Sequence, residues 1–370
     1  MPGTGGGSAV LSKRTAAAHN ERLPAAYRLG DVEARGPTAE ALPRCVFLEI
    51  TNRCNLACTA CVRTHRSLEP PRDMTFDEFV ALVAQFPALE RALLHGIGEP
   101  LLHPQLPAMV RYLKERDVTV LFNSNGTLLT PQLQEELVRS GLDEFRLSLD
   151  AAEPALYARM HGRPFFARVV ENVESFIATK GRLGRDTPRI SIWCTVTREN
   201  VEQLPTLVHL AAEMGVEELY VQRLVYFLDS EAEYDAELAG LALFGTVSAT
   251  EREIIAECER LSEALGIAFR ASGATDPARS LSAAQRAEQL PWAACLRPWT
   301  TAYITANGNA LPCCMAPFAS IDYDALIMGN VWETDFSLIW NSDRYRAWRQ
   351  ALLSADPPVP CSGCGVCWSL

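Results

Sequence analysis

The sequence predicts an α/β fold, a partial (β/α)6 TIM-like barrel followed by a small C-terminal α+β domain. Three observations carry this. Short apolar runs alternate six times with amphipathic stretches of helical period between residues 46 and 225. A segment rich in Ala, Ser and Arg, 274–290, then interrupts the pattern. Beyond it the chain changes character, with a hairpin signal and a cluster of cysteines. Alternating strands and helices imply a parallel sheet covered by helices. The chain has 370 residues, 48% hydrophobic and 21% charged, which suffices for one large core plus a small appended domain.

Residues 1–40 are rich in Gly, Ala and Pro without sustained period, so a mobile leader is expected there. Strands are expected at 46–50, 92–94, 118–122, 145–149, 190–196 and 219–225. The intervening helices are expected at 75–85, 106–115, 131–140, 167–179 and 201–214, with another at 251–265. The segment 271–290 reads as a linker. After it, 301–305, the Asn307-Gly308 turn and 310–311 make a hairpin, and 336–353 has helical period.

Formal charge is -11, with 34 Lys and Arg against 45 Asp and Glu. Nucleic-acid binding needs a basic face, and none is evident, so a nucleic-acid partner is not expected. No apolar run approaches the roughly 20 residues of a membrane span, and the start lacks a secretory stretch, so a cytoplasmic protein without a membrane partner is expected.

Twelve cysteines in such a protein suggest metal ligands or redox groups rather than a disulfide framework. Cys54, Cys58 and Cys61 form one group, Cys295, Cys313, Cys314, Cys361, Cys364 and Cys367 another, and Cys45, Cys194 and Cys258 stand alone. The first group has the spacing C-x3-C-x2-C on a loop after the first strand. Three thiolates there can hold three corners of a [4Fe–4S] cube and leave one iron open for a chelating cofactor. The alternative is a zinc knot with His65 as fourth ligand.

Here the sequence resembles the radical S-adenosylmethionine superfamily, over nearly all of 45–370. Gly96-Ile97-Gly98-Glu99-Pro100 resembles the family's Gly-Gly-Glu-Pro element. The resemblance implies that Gly98 and Glu99 meet the methionine amino group of S-adenosylmethionine, for which a close-approaching backbone and a carboxylate are suited. Ser124-Asn125-Gly126 and Ser148-Leu149-Asp150 match positions where Ser124, Asn125, Ser148 and Asp150 would contact ribose or the methionine carboxylate. The plainer reading of these is a turn and a helix cap. Leu224 matches an adenine-packing position and Arg159 a carboxylate contact. Relatives often carry an aromatic residue just before the third cysteine, where this chain has Ala60.

Cys295, Gly308 and Cys313 have the spacing C-x12-G-x4-C, and the chain continues to Cys361-Ser-Gly-Cys364-Gly-Val-Cys367. This resembles the auxiliary-cluster domain known as SPASM or, shortened, twitch. The implied organisation is a barrel over 41–270, the linker, and an auxiliary-cluster domain over 291–370. One auxiliary [4Fe–4S] cluster is expected on Cys295, Cys313, Cys361 and Cys364, with Cys367 as the alternative to Cys364, or a structural zinc in its place. Cys314 is excluded on the argument that adjacent residues of a strand point to opposite faces.

The resemblance implies reductive cleavage of S-adenosylmethionine to a 5′-deoxyadenosyl radical, with an electron donor such as flavodoxin or ferredoxin. The first reading of the reaction is hydrogen abstraction from a small polar metabolite, a sugar or aminocyclitol, with oxidation through the auxiliary cluster. The alternatives are an epimerase, with Cys194 at the end of the fifth strand as hydrogen donor and Cys258 and Cys314 behind it, and modification of a ribosomally made peptide; the plainer reading of Cys194, which is favoured, is a small buried hydrophobe. Forty-four residues before Cys45 are too few for a leader-binding domain, although that domain can be a separate chain. A non-enzymatic iron–sulfur electron carrier is the remaining alternative.

Overall fold

Along the first strand, Val46, Leu48 and Ile50 enter one apolar cluster while Cys45 and Phe47 enter another, and all five are buried. Successive strand residues point to opposite faces, so both faces of this sheet are covered, as parallel strands require. The computed structural model describes residues 25–224, 240–243, 248–271, 292, 295–318 and 323–362, with positions 17, 20, 21 and 23.

Among the described residues, ten strands form one open sheet: β1 Cys45–Leu48, β2 Arg91–Leu93, β3 Thr119–Ser124, β4 Glu144–Ser148, β5 Arg189–Val196, β6 Glu218–Arg223, β7 Ala268–Ala271, β8 Thr301–Ile304, β9 Asn309–Leu311 and β10 Gly329–Asn330. Their order is β10-β9-β8-β1-β2-β3-β4-β5-β6-β7. The six expected barrel strands are present and parallel in sequence order. Two further strands extend them. β7 adds in parallel to β6, and β8, from the C-terminal region, adds in parallel to β1. The C-terminal region is therefore joined to the barrel through the backbone of the strand that leads to Cys54.

Helices α1 Phe76–Ala84, α2 Leu106–Lys114, α3 Pro131–Ser140, α4 Pro154–His161, α5 Phe166–Arg182, α6 Leu204–Glu213 and α7 Ala249–Leu265 connect the strands. Local chemistry sets their ends. Thr75 and Glu78 form a reciprocal capping box on α1, Ser248 and Glu251 do so on α7, and Gly141 closes α3 in the left-handed region. The expected helix 336–353 is two helices, α8 Phe336–Trp340 and α9 Asp343–Leu352, because Ser342 caps a new start. The expected linker falls, except for Ala271, outside the described residues.

Residues 25–40 of the expected leader, with Ala41, lie against the C-terminal region. Trp299 Nε1 donates to Gly36 O at 2.7 Å, Trp340 Nε1 to Ala41 O at 2.8 Å, and the Asn341 amide brackets Ala39. Fully buried Arg349 donates to Pro37 O and Pro298 O while lying over Trp340 and Tyr345. Side-chain donors from distant helices pair with carbonyls of this segment that no local hydrogen bond among the described residues engages, and no local periodicity reports this.

A charged belt spans the sheet. Glu144 of β4 meets Arg91, Arg146 and Arg189 at 3.0, 2.8 and 3.4 Å, and Glu218 of β6 meets Arg189 and Arg270 at 2.8 and 3.1 Å. Burial acts to raise the Glu144 pKa, but its three arginines outweigh burial and hold it at about 2.

Candidate active site

The cysteine loop leaves β1 and rests on the carboxyl end of α4. Thr59 N–H donates to Met160 O at 2.9 Å, and a Cβ on Gly162 would stand 2.8 Å from Ala57 O. Within the loop, Cys61 N–H donates to Cys58 O and Arg63 donates to Leu56 O. The loop thus holds its three thiols together. Burial pushes all three thiols up, and each has at least one of the others among its charged neighbours or theirs. Among the described residues, no three His, Cys, Asp or Glu side chains are placed to hold a single metal ion. A mononuclear zinc draws its thiolates within about 2.3 Å of one point, whereas a four-iron cube spreads them apart. His65, the candidate fourth zinc ligand, directs Nε2 to Thr59 O at 2.9 Å. Soft thiolates of this kind are as well suited to an iron–sulfur cluster as to zinc.

Gly98 is pressed against the loop. A Cβ there would lie 2.1 Å from Thr51 O, so only glycine permits this approach. Glu99 is 2% exposed, and burial raises its pKa. Its carboxylate accepts from Ser124 Oγ at 2.7 Å, Asn125 N–H at 2.8 Å and Leu101 N–H at 3.0 Å. A carboxylate offers about four acceptor positions, so one remains beyond these three donors. Asn125 Nδ2 continues the network to Asn55 Oδ1 at 3.0 Å, and Asn55 Nδ2 reaches Thr127 Oγ1. Glu99, Ser124 and Asn125, singled out separately in the sequence, are thus one hydrogen-bonded unit tied to the cysteine loop.

Asp150 accepts from Thr195 N–H at 2.7 Å, and burial raises its pKa. Its Oδ2 stands 3.5 Å from His161 Nε2, while His161 Nδ1 lies 3.5 Å from Cys58 Sγ and its ring stacks on Tyr157. His161 and Tyr157 carry no sequence signal, since each reads as an ordinary residue of α4. Leu224 and Ala242 form a small apolar cluster on which Ala60 and Leu241 pack, so two expected cofactor positions meet. Ser148 ends β4 at the same carboxyl edge.

Arg159 is exposed and pairs with Glu199 at 3.4 Å. Two expectations need correction. Cys194 does not face the mouth. It shares one face of β5 with Ile190, Ile192 and Val196, fully buried in the core that includes Leu204 and Leu207 of α6, with Asn200 Nδ2 at 3.8 Å. The alternation of strand faces puts it on the helix side. The exclusion of Cys314 by strand alternation also lapses, because β9 ends at Leu311 and Cys313 and Cys314 lie in a turn. Arg297 Nε–H donates to Cys314 Sγ at 3.2 Å. Cys295 is buried at the inner face with Cys313 and Cys314 packed near it, whereas Cys361, in the last described helix, packs against the main core cluster. Cys364 and Cys367 lie outside the described residues.

Glu49, one residue beyond β1, gave no signal in the sequence. It is 2% exposed and accepts from Tyr303 OH at 2.6 Å, Ile97 N–H at 2.9 Å and Ala306 N–H at 3.2 Å. Burial raises its pKa from 4.5 to about 7 against those three donors. Gly96 leaves room for it, since a Cβ there would stand 2.1 Å from Glu49 Oε2. Glu69 plays a parallel part, accepting from Asn307, Asn309 and Tyr323 at 2.9, 2.8 and 2.9 Å. Two carboxylates of the barrel therefore clamp the C-terminal hairpin. No helix among the described residues is long and apolar enough to cross a membrane.

A family model described as the Radical SAM superfamily matches residues 48–219, and one described as an iron–sulfur cluster-binding domain, SPASM, matches 295–367. The tungsten-containing aldehyde ferredoxin oxidoreductase cofactor-modifying protein of Pyrococcus furiosus is 33% identical over 183 residues, 49% of this chain and 51% of that protein. The chain thus spans about half the length of that relative. An AdoMet-dependent heme synthase of Methanosarcina barkeri is 26% identical over 340 residues, 88% of each chain. A PqqA peptide cyclase of Streptomyces rochei is 24% identical over 327 residues, 87% of this chain and 82% of that one. In fold, the chain is similar to Streptococcus suis SuiB bound to the precursor peptide SuiA, with a TM-score of 0.63, 16% identity and coverage of 84% and 67%.

Proposed function

The chain belongs to the radical S-adenosylmethionine superfamily and carries an iron–sulfur SPASM domain, and on that premise we propose that it is a maturase acting on a ribosomally made peptide. The observation that carries this is the likeness to a peptide cyclase through both the barrel and the C-terminal region. It favours the peptide over the sugar or aminocyclitol oxidation expected first. The likeness to a heme synthase, equally long, makes a tetrapyrrole the second reading.

Cys54, Cys58 and Cys61 hold the first [4Fe–4S] cluster in this reading, and Cys295, Cys313 and Cys361 with Cys364 or Cys367 hold an auxiliary one. When bound, the first cluster and S-adenosylmethionine supply one-electron cleavage of a sulfonium bond, with the electron coming from a flavodoxin or ferredoxin. The chain's own residues bind and orient. Gly98 allows close approach, the open acceptor position of Glu99 takes the ammonium, and Ser124 and Asn125 fix that carboxylate. Leu224 and Ala60 give an apolar wall for adenine, and Ser148 and Asp150 stand at the same edge of the barrel.

The test is anaerobic reconstitution, iron counting and assay of 5′-deoxyadenosine on adding reductant. About eight irons per chain support two cubic clusters. A synthetic peptide pool that loses hydrogen mass only with both S-adenosylmethionine and reductant supports the peptide reading. Turnover stimulated by a tetrapyrrole or an aminocyclitol, with the peptides unchanged, overturns it.

A further inference from the structure

We propose that the cavity beside the cysteine loop is an anion subsite that takes a carboxylate of the substrate. The cavity, about 530 Å³, is lined by Arg53, Arg63, His65 and Arg66 together with Cys54 and Ile97. It therefore borders both the cysteine loop and the Gly96–Pro100 turn. Its volume falls in the range that admits a small molecule or a residue or two of a chain. A concave site of that size fits a substrate group better than the flat face of an electron-donor protein.

Three arginines in one cavity run against the composition of a chain with 34 basic and 45 acidic residues. Glu69 also lines the cavity, but its carboxylate is engaged by Asn307, Asn309 and Tyr323 of the C-terminal region. Asp73 holds Arg53 only loosely, at 3.6 Å with the arginine side chain 56% exposed. Arg63 uses one nitrogen on Leu56 O, while its buried Nε has no acceptor among the described residues. The Arg66 side chain has no acceptor among the described residues either. A buried donor without an acceptor, here Arg63 Nε, is unfavourable, and a planar carboxylate satisfies guanidinium forks two bonds at a time, the partly exposed Arg53 and Arg66 included. A neutral amide of the same shape cannot, because half of its polar edge is a donor.

The inference rests on the proposed function in placing substrate at this mouth, but not on which molecule is modified. It is tested by anaerobic calorimetric titration of the reconstituted protein with glutarate and with glutaramide, its neutral counterpart of equal length. Glutarate is expected to bind at least about tenfold more tightly. Arg66→Gln is expected to remove most of that preference while S-adenosylmethionine affinity, titrated separately, stays as in the wild type. The unchanged cofactor affinity shows that the variant is folded. Equal binding of the two probes, or no binding of either, overturns the proposal. So does an equal loss of glutarate and S-adenosylmethionine affinity in Arg66→Gln, which makes the cavity the cofactor's own carboxylate site. A glutarate preference with an unmodified peptide pool keeps the subsite and removes the peptide reading.

Discussion

Replacing Glu49 by Gln changes the pH dependence of stability in a direction the structure dictates. In the folded chain its pKa is raised from 4.5 to about 7, with burial as the main cause. A raised carboxylate binds more protons folded than unfolded, so its contribution is fully present below pH 4.5 and is lost as pH rises through about 7. The difference of pKa corresponds to a loss of about 3 kcal/mol across that window. Gln at this position has no such loss, but its NH2 cannot accept from Ala306 N–H or Ile97 N–H, which costs about 1–3 kcal/mol at every pH. Glu49→Gln is therefore expected to be the less stable protein at pH 5, with the gap closing or reversing by pH 8. Buried His95, which burial and Arg146 lower to about 3, imposes an opposite slope on both proteins. Only the difference between them isolates Glu49. Anaerobic thermal unfolding of both at several pH values reads it, and for a chain of this length the relative shift in Tm is about 4 °C. A Tm difference constant to within about 1 °C from pH 5 to 8 would refute the reasoning.

Cys58→Ala is expected to remove about four irons per chain and to abolish 5′-deoxyadenosine release, read by iron assay and chromatography. Gly98→Ala places a methyl group 2.1 Å from a backbone carbonyl that cannot swing aside. Its affinity for S-adenosylmethionine should fall by at least about tenfold in equilibrium titration. Glu144→Gln leaves Arg91, Arg146 and Arg189 without their shared carboxylate, and at pH 7 should lower stability by about 3–5 kcal/mol in denaturant unfolding. Since the wild-type carboxyl is held at about 2, its contribution is present above pH 4.5 and is lost as pH falls toward 2, so the two proteins should converge in acid.

The six barrel strands were legible because each is a short apolar run bounded by turn or polar residues. β7 was not, since Ala268-Phe269-Arg270-Ala271 is too short and too mixed to show a period. The pairing of β8 with β1 was also invisible, because nothing local to Thr301–Ile304 names a partner some 250 residues earlier. In the site, spacing exposed the three cysteines, and the turn motifs exposed Gly98, Glu99, Ser124 and Asn125. What spacing hid was their connection: that Glu99 spends three acceptor positions on its neighbours, and that His161 stands between Cys58 and Asp150. Cys194 is the small buried hydrophobe that its plainer reading expects, on the strand face it shares with Ile190, Ile192 and Val196. Glu49 was overlooked because a single acidic residue at a strand end looks solvated until a distant tyrosine covers it.

The parallel pairing of β8 with β1 also bears on biogenesis. While a ribosome is still synthesising residues short of Thr301–Ile304, β1 lacks one neighbour and its row of amide and carbonyl groups stays open. Three oxidisable thiols, Cys54, Cys58 and Cys61, lie on the loop that follows that same strand. Nascent or truncated polypeptide thus presents, side by side, an aggregation-prone edge and an oxidation-prone loop, and both liabilities end together when the late strand docks.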